Sequence, residues 1–123
     1  LDRIQVIKGW RDAMGELHEK VYEVALSDDR KTNKKGRAKS LKSTVDVEAA
    51  SYTNTIGAAG FSTYWRDPDF DASEKAFYYD RVIEIPTPRW PAFDAKRLGA
   101  EIGPDTLMEI QDRAYSSPIW YTP

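Results

Sequence analysis

The segment Ala76–Ile85 constrains the fold more than any other part of the chain, because its side chains alternate and three prolines follow it. Alternation with a period of two predicts a β-strand. One predicted face carries Phe77, Tyr79, Ile83 and Ile85. Arg81 interrupts this apolar face, which predicts an edge position or a charged partner. Pro86, Pro88 and Pro91 lack the backbone donor that a sheet requires, so the strand must end there.

Other segments also have the composition of strands. Leu1–Trp10 and Leu17–Leu26 both favour strands, and Gly15 in the polar stretch between them predicts a hairpin with a turn longer than two residues. Val45–Thr55 and Tyr115–Tyr121 alternate in the same way. The sequence therefore predicts at least five strands, most of them joined by turns.

Helical signals are confined to the last third of the chain. Phe93–Leu98 follows a proline and precedes Gly99, which predicts a short helix with a glycine at its C-terminal end. Asp105–Ala114 fits a short helix or a strand equally well. Many short strands and little helix predict a mainly β fold: an antiparallel β-sandwich-like domain with one or two short helices near the C-terminal third.

The length of 123 residues is that of one domain, and 41% hydrophobic residues are too many for a disordered tail. Because the chain begins inside an alternating stretch, residues 1–123 are interpreted as one domain cut from a longer protein. Whether that protein carries a signal peptide stays open. No run of apolar residues approaches the length of about 20 that a membrane span needs, so no membrane-spanning segment is expected.

Basic residues are concentrated in one loop. Seven of the 18 lie between Arg30 and Lys42 without an acidic residue, which leaves 11 basic against 20 acidic residues elsewhere. The polar composition of residues 27–43 predicts a flexible basic loop. An anionic partner is one interpretation of this charge. We expect no nucleic-acid binding, because the loop lacks the aromatic residues on which bases stack.

The chain lacks the residue types of most catalytic centres. It has no cysteine and only one histidine, His18, so it cannot build a cysteine-based zinc site or a pair of histidine ligands. His18 is interpreted as an ordinary residue near the hairpin turn, with a binding or catalytic role as the alternative. No catalytic residue, metal or cofactor is therefore predicted within this chain.

The spacing of Asp67, Asp69 and Asp71 resembles the start of a calcium-binding loop, since calcium prefers several carboxylate oxygens. Ala72 stands where such a loop has glycine, and Tyr78 stands where it has glutamate. A turn stabilised by aspartate side chains is the preferred interpretation, and a calcium site at these three residues is the alternative.

Three aromatic residues are candidates for ligand contacts. Tyr64, Trp65 and Trp90 fit a sugar-binding platform, a domain interface or core packing, and the sequence does not decide among these roles.

Several blocks that span nearly the whole chain resemble the C-terminal region of the bacterial domain-of-unknown-function family 3604. The blocks are Leu1–Trp10, His18–Tyr22, Tyr52–Ala58, Asp67–Asp71, Ala76–Tyr79, Glu84–Trp90 and Ser116–Pro123. The resemblance implies that residues 1–123 are a single C-terminal accessory β domain of a longer protein. The N-terminal part of that protein is then similar to metal-dependent phosphoesterases of the polymerase-and-histidinol-phosphatase type. It also implies a divalent metal in that part and favours a location in the bacterial envelope or periplasm, with the cytoplasm as the alternative.

These observations lead to one preferred function and two alternatives. The chain is expected to be a non-catalytic accessory domain that packs against the N-terminal hydrolase domain of the same polypeptide, and the isolated chain is expected to be able to form a homodimer. The expected interface consists of Pro86, Pro88, Arg89 and Trp90. The first alternative is a module that binds carbohydrate or another envelope ligand. The second is a contribution to the active-site rim of the hydrolase by His18, Arg81 or Glu84.

Overall fold

A computed structural model describes all residues, 1–123. It contains nine strands and one helix. The strands are β1 (Arg3–Arg11), β2 (Leu17–Leu26), β3 (Val45–Asp46), β4 (Ser51–Tyr52), β5 (Lys75–Ile83), β6 (Thr87–Pro88), β7 (Glu109–Ile110), β8 (Arg113–Tyr115) and β9 (Ile119–Tyr121), and the helix is α1 (Trp90–Leu98). The fold is therefore mainly β with antiparallel sheets and a single short helix, as the sequence predicts.

The main sheet has the order β2-β1-β5, followed by β8 and β9 side by side along the free edge of β5. All of its pairs are antiparallel. The predicted hairpin of β1 and β2 is confirmed. Its turn is held by Asp12, whose carboxylate accepts hydrogen bonds from Met14 N and Glu16 N, both at 2.9 Å. Gly15 has a φ of 90°, a conformation that favours glycine.

The strand predicted at Ala76–Ile85 is β5, and of the two interpretations of Arg81 the edge position is wrong. β5 pairs with β1 on one side and with β8 and β9 on the other. Arg81 is instead accommodated by a neighbouring amide, because its Nε donates to Gln5 Oε1 at 2.9 Å.

The single strand predicted at Val45–Thr55 is two short strands, β3 and β4, joined by a tight turn. Asp46 Oδ1 accepts a hydrogen bond from Ala49 N at 2.9 Å, and Ala50 has a φ of 44°. Both features turn the backbone back on itself, so alternation over the whole segment does not reflect one continuous strand.

The C-terminal third contains the predicted helix and resolves the ambiguous segment as strand. α1 begins at Trp90, with a proline in its first turn, and Gly99 follows in the left-handed conformation with its N–H donating to Ala95 O. Residues 105–114 contain β7 and part of β8 rather than a helix. β7 pairs with β6, and this small sheet lies beside the β3–β4 pair.

The core is small for a chain of this length. Only 15 of the 123 residues are buried, and several of these are polar or charged. The accessible surface of the whole chain is 8986 Å². The structure has no helix that is both long enough and apolar enough to cross a membrane.

Candidate functional site

One face of the main sheet carries a row of aromatic side chains, which we call the aromatic face: Phe77, Tyr79, Tyr115 and Trp120. In the antiparallel register Phe77 lies opposite Trp120, and their ring centroids are 5.2 Å apart. Phe77 and Tyr79 lie 6.4 Å apart with nearly parallel rings, and Tyr79 and Tyr115 lie 6.2 Å apart. Trp120 and Tyr115 are 72% and 57% exposed, whereas Phe77 and Tyr79 are half-buried, so the row faces solvent mainly through Trp120 and Tyr115.

Gly9 allows Phe77 to lie flat against β1. A Cβ atom at Gly9 would come within 2.4 Å of the Phe77 ring, so no larger residue fits without moving that ring. Phe77, Trp120 and Leu17 line a cavity of ≈ 430 Å³ above this glycine. Leu17 is 82% exposed. The end of the aromatic face is therefore an open apolar groove.

The opposite face of the sheet carries a cluster of charged and phenolic groups, which we call the lysine–aspartate cluster: Lys8, Lys20, Tyr22, Asp67, Asp69 and Tyr78. Lys8 Nζ donates to Asp67 Oδ2 and to Asp69 O, both at 2.7 Å. Lys20 Nζ donates to Asp69 Oδ2 at 2.5 Å. The cluster therefore fastens the loop that contains Asp67 and Asp69 onto strands β1 and β2.

Two tyrosines complete the cluster. Tyr22 Oη donates to Asp69 Oδ2 at 2.7 Å and Tyr78 Oη donates to Asp67 Oδ2 at 2.8 Å. Burial and these hydrogen bonds raise the pKa of both phenols, so both stay protonated as donors. Burial raises the pKa of Asp67, but the hydrogen bonds from Lys8, Asp69 N and Tyr78 outweigh it and hold that pKa below 3.8.

The three aspartates of the alternative calcium interpretation are only partly brought together. The carboxylates of Asp67 and Asp69 both accept hydrogen bonds from lysine ammonium groups. Asp71 instead accepts from Ser73 N and Ser73 Oγ, at 2.8 and 2.7 Å. No group of three or more His, Asp or Glu side chains is arranged to hold a metal ion. The donor set therefore does not fit a divalent metal while the lysines occupy it.

The three candidate aromatic residues have different environments. Trp65 packs against Tyr22 and Tyr78, with centroid distances of 5.0 and 6.3 Å. Tyr64 is 88% exposed and Trp90 is 64% exposed. Trp65 belongs to a packed wall beside the lysine–aspartate cluster, whereas Tyr64 and Trp90 extend into solvent and do not form a platform with it.

The predicted interface around α1 is mostly internal. Pro86 and Pro88 are buried and Arg89 is half-buried, so Trp90 is the one residue of the four that is fully available at the surface. Arg89 N donates to Met108 O at 2.8 Å, which joins this segment to the end of the chain that precedes β7.

The residues proposed for an active-site rim are not brought together. His18 lies at one end of β2, where it stacks on Trp10 and Nε2 lies 2.7 Å from Asp12 Oδ2. Arg81 lies in the other half of β5, and Glu84 is an exposed residue beyond its end. His18 and Glu84 are therefore near opposite ends of the sheet.

A buried charge network that the sequence did not suggest surrounds Asp2. The Asp2 carboxylate is fully buried and accepts hydrogen bonds from Arg3, Arg30 and Gln111. Burial raises its pKa, but these partners outweigh burial and lower that pKa below 3.8. Arg30 also donates to Lys39 O at 2.8 Å. Arg30, the first basic residue of the loop, is thus fixed to the body of the domain.

Comparison with known proteins gives one match. The family model described as "Protein of unknown function (DUF3604)" matches residues 1–123. No curated protein and no solved structure matches the chain.

Proposed function

The chain belongs to the DUF3604 family, and from this premise we propose that it is a non-catalytic accessory β domain that docks through its aromatic face. The partner is a further domain of the same polypeptide, which the resemblance of the sequence implies to be a metal-dependent hydrolase. In this proposal the accessory domain supplies a rigid support and does not react with substrate.

The large accessible surface of the chain is the main support for docking to a further domain. A monomeric protein of 14.0 kDa is expected to expose about 6,700 Å², whereas this chain exposes 8986 Å². The excess of about 2,300 Å² exceeds the about 800 Å² that one partner contributes to a standard interface. A chain with so much surface and so small a core is typical of a domain that shares its core with a neighbour.

The aromatic face is the part of that surface best suited to docking. Tyrosine, tryptophan and phenylalanine are enriched in the buried centres of interfaces, where they provide large contact areas with few rotatable bonds. Phe77 and Trp120 border an open groove that an apolar side chain of the partner would fill. Trp90, from the interface predicted on the sequence, would lie at the rim of this contact or outside it.

The experiment compares two tryptophans in the longer gene product. Trp120→Gln should lower the free energy of unfolding of the isolated chain by no more than about 1 kcal/mol, because the side chain is 72% exposed and packs on Phe77 across the strands. In the longer protein it should speed proteolytic cleavage between the two domains severalfold. Trp90→Gln serves as the matched control and should have a smaller effect.

Two results would contradict the proposal. Equal cleavage rates in the wild-type protein and both variants would remove the docking role from the aromatic face. A dimer of the isolated chain in sedimentation, dissociated by Trp120→Gln, would assign this face to a second copy of the chain instead of to a neighbouring domain.

A contribution to the active-site rim is the alternative to this proposal, and it would depend on single residues because the three candidates lie apart. His18 is the strongest of the three, because its imidazole and the Asp12 carboxylate form a pair beside the apolar groove. His18→Gln in the longer protein should leave hydrolase activity unchanged if the domain is only a support. A large loss of activity would favour the rim role.

A further inference from the structure

We infer that a cavity beside Trp65, on the face opposite the aromatic face, binds a neutral sugar. The Trp65 cavity has a volume of ≈ 390 Å³, and its lining includes Val6, Trp65, Arg66, Phe70, Asp80 and Tyr121. Ligand sites typically measure about 300 to 1,000 Å³. The cavity is therefore of the size that admits a small ligand such as one or two sugar rings. Trp120 of the aromatic face also lines the cavity, but the inference is argued from Trp65, Arg66 and Asp80 and does not depend on docking through that face.

The aromatic walls of the cavity are held in place before any ligand binds. Trp65 packs against Tyr22 and Tyr78, and both phenols are anchored to the aspartates of the lysine–aspartate cluster. On the other side Phe70 and Tyr121 meet edge to face at 5.0 Å. A ligand that binds between these walls would not have to bear the entropic cost of ordering them.

Two charged side chains line the same cavity and have no partner within the chain. The Arg66 guanidinium and the Asp80 carboxylate are exposed, form no hydrogen bond through their side chains, and do not pair with one another. Asp67, which also lines the cavity, differs because Lys8, Tyr22 and Tyr78 already occupy its oxygens. Arg66 and Asp80 are thus the free donor and the free acceptor of this site.

The combination of aromatic walls with one free donor and one free acceptor favours a sugar over other ligands. The C–H groups of a pyranose ring can stack on the negatively charged face of an aromatic ring. Its hydroxyl groups can donate to a carboxylate and accept from a guanidinium, and such charge-assisted hydrogen bonds are strong. Because the two charges are opposite in sign, the site favours a ligand without net charge.

A purely apolar occupant fits less well. An apolar side chain from another protein would remove water from Arg66 and Asp80 without replacing the lost hydrogen bonds, which is costly. The hydroxyl groups of a sugar would replace those bonds. The Trp65 cavity is therefore assigned to a polar ligand with an apolar ring face.

Saturation-transfer difference NMR on the 123-residue chain tests this assignment. The probes are the methyl glycosides of glucose, galactose, mannose and N-acetylglucosamine, each at millimolar concentration. At least one should receive saturation from aromatic protons. Asp80→Asn and Arg66→Gln should each weaken its binding at least tenfold, while the fold stays intact by circular dichroism, because neither side chain forms a hydrogen bond within the chain.

Tyr64→Ala provides the matched control, because Tyr64 is an exposed aromatic neighbour that does not line the cavity. It should change the affinity less than twofold. The assignment is wrong if none of the four glycosides binds, or if binding survives both Asp80→Asn and Arg66→Gln. It is also wrong if Tyr64→Ala abolishes binding, since the sugar would then occupy the exposed surface.

Discussion

Lys8 Nζ and Asp67 Oδ2 lie 2.7 Å apart in a contact where the two side chains are only 2% and 6% exposed. The same ammonium group donates to Asp69 O and lies 5.1 Å from the centre of the Trp10 ring. A single lysine on β1 therefore fastens a loop that is about 60 residues away in sequence, and it shapes one wall of the Trp65 cavity through that loop.

Removing the ammonium group should release this loop. Lys8→Met keeps the length of the side chain but leaves the Asp67 carboxylate buried without its cation, which typically costs about 3 to 5 kcal/mol. Urea unfolding measures this loss. Lys20→Met is the control, because the pair of Lys20 and Asp69 is half exposed and screening by solvent should make its loss much smaller than that of Lys8. Equal losses in the two variants would show that Lys8 is no more important than a surface lysine.

The stability of the domain should fall at acid pH. Asp2 and Asp67 have pKa values below the usual 3.8 in the folded state. Their contribution to stability is therefore complete above about pH 4 and is lost as the pH falls through the lower folded values. Urea unfolding between neutral pH and pH 2 measures how steeply the free energy of unfolding falls with pH. Asp67→Asn should make this fall less steep, and an unchanged pH dependence would contradict the lowered pKa of Asp67.

Gly9 should not tolerate a side chain. Gly9→Ala would force the Phe77 ring away from β1 and should cost about 1 to 3 kcal/mol. It should also change the near-ultraviolet circular dichroism of the aromatic face. Gly60→Ala is the matched control, because a Cβ there meets no atom within 4 Å. A Gly9→Ala protein with wild-type melting temperature and spectrum would argue against the packing of Phe77 on Gly9.

Local sequence patterns predicted the strands better than they predicted the neighbours of each strand. Alternation identified β1, β2 and β5, and Gly99 identified the end of α1. The central position of β5 was missed because β8 and β9, which follow it by about 30 residues or more, pair along its free edge. This pairing brings Tyr115 and Trp120 beside Tyr79 and Phe77, so the aromatic face was also missed.

The site at Asp67 and Asp69 shows the same limit. Their spacing resembles the start of a calcium loop. The lysines of β1 and β2 that bind the two carboxylates are distant in sequence, so the local pattern did not reveal them.

The seven basic residues from Arg30 to Lys42 predicted a flexible loop, and the pattern alone gave no sign that Arg30 itself binds Asp2. The alternation of Phe77 and Tyr79, together with Trp120 in the predicted last strand, was the available signal for the aromatic face.

Arg30 should order the start of the basic loop. Arg30→Ala removes hydrogen bonds to Asp2, Ser27 and Lys39, and should lower the free energy of unfolding by about 1 to 3 kcal/mol. Amide hydrogen exchange in residues 27–43 should become faster. Lys35→Ala is the control, since the Lys35 side chain forms no ion pair. If the loop exchanges equally fast in the wild-type protein and in both variants, Arg30 does not anchor it.

Hydroxyl-radical footprinting tests the docking of the aromatic face most directly. Oxidation of Trp120 and Tyr115 would be measured by mass spectrometry in the isolated chain and in the longer gene product, with exposed Tyr64 as the internal reference. The account predicts that Trp120 and Tyr115 are oxidised several times more slowly in the longer protein, while Tyr64 is unchanged. Equal oxidation of Trp120 in the two proteins would contradict it.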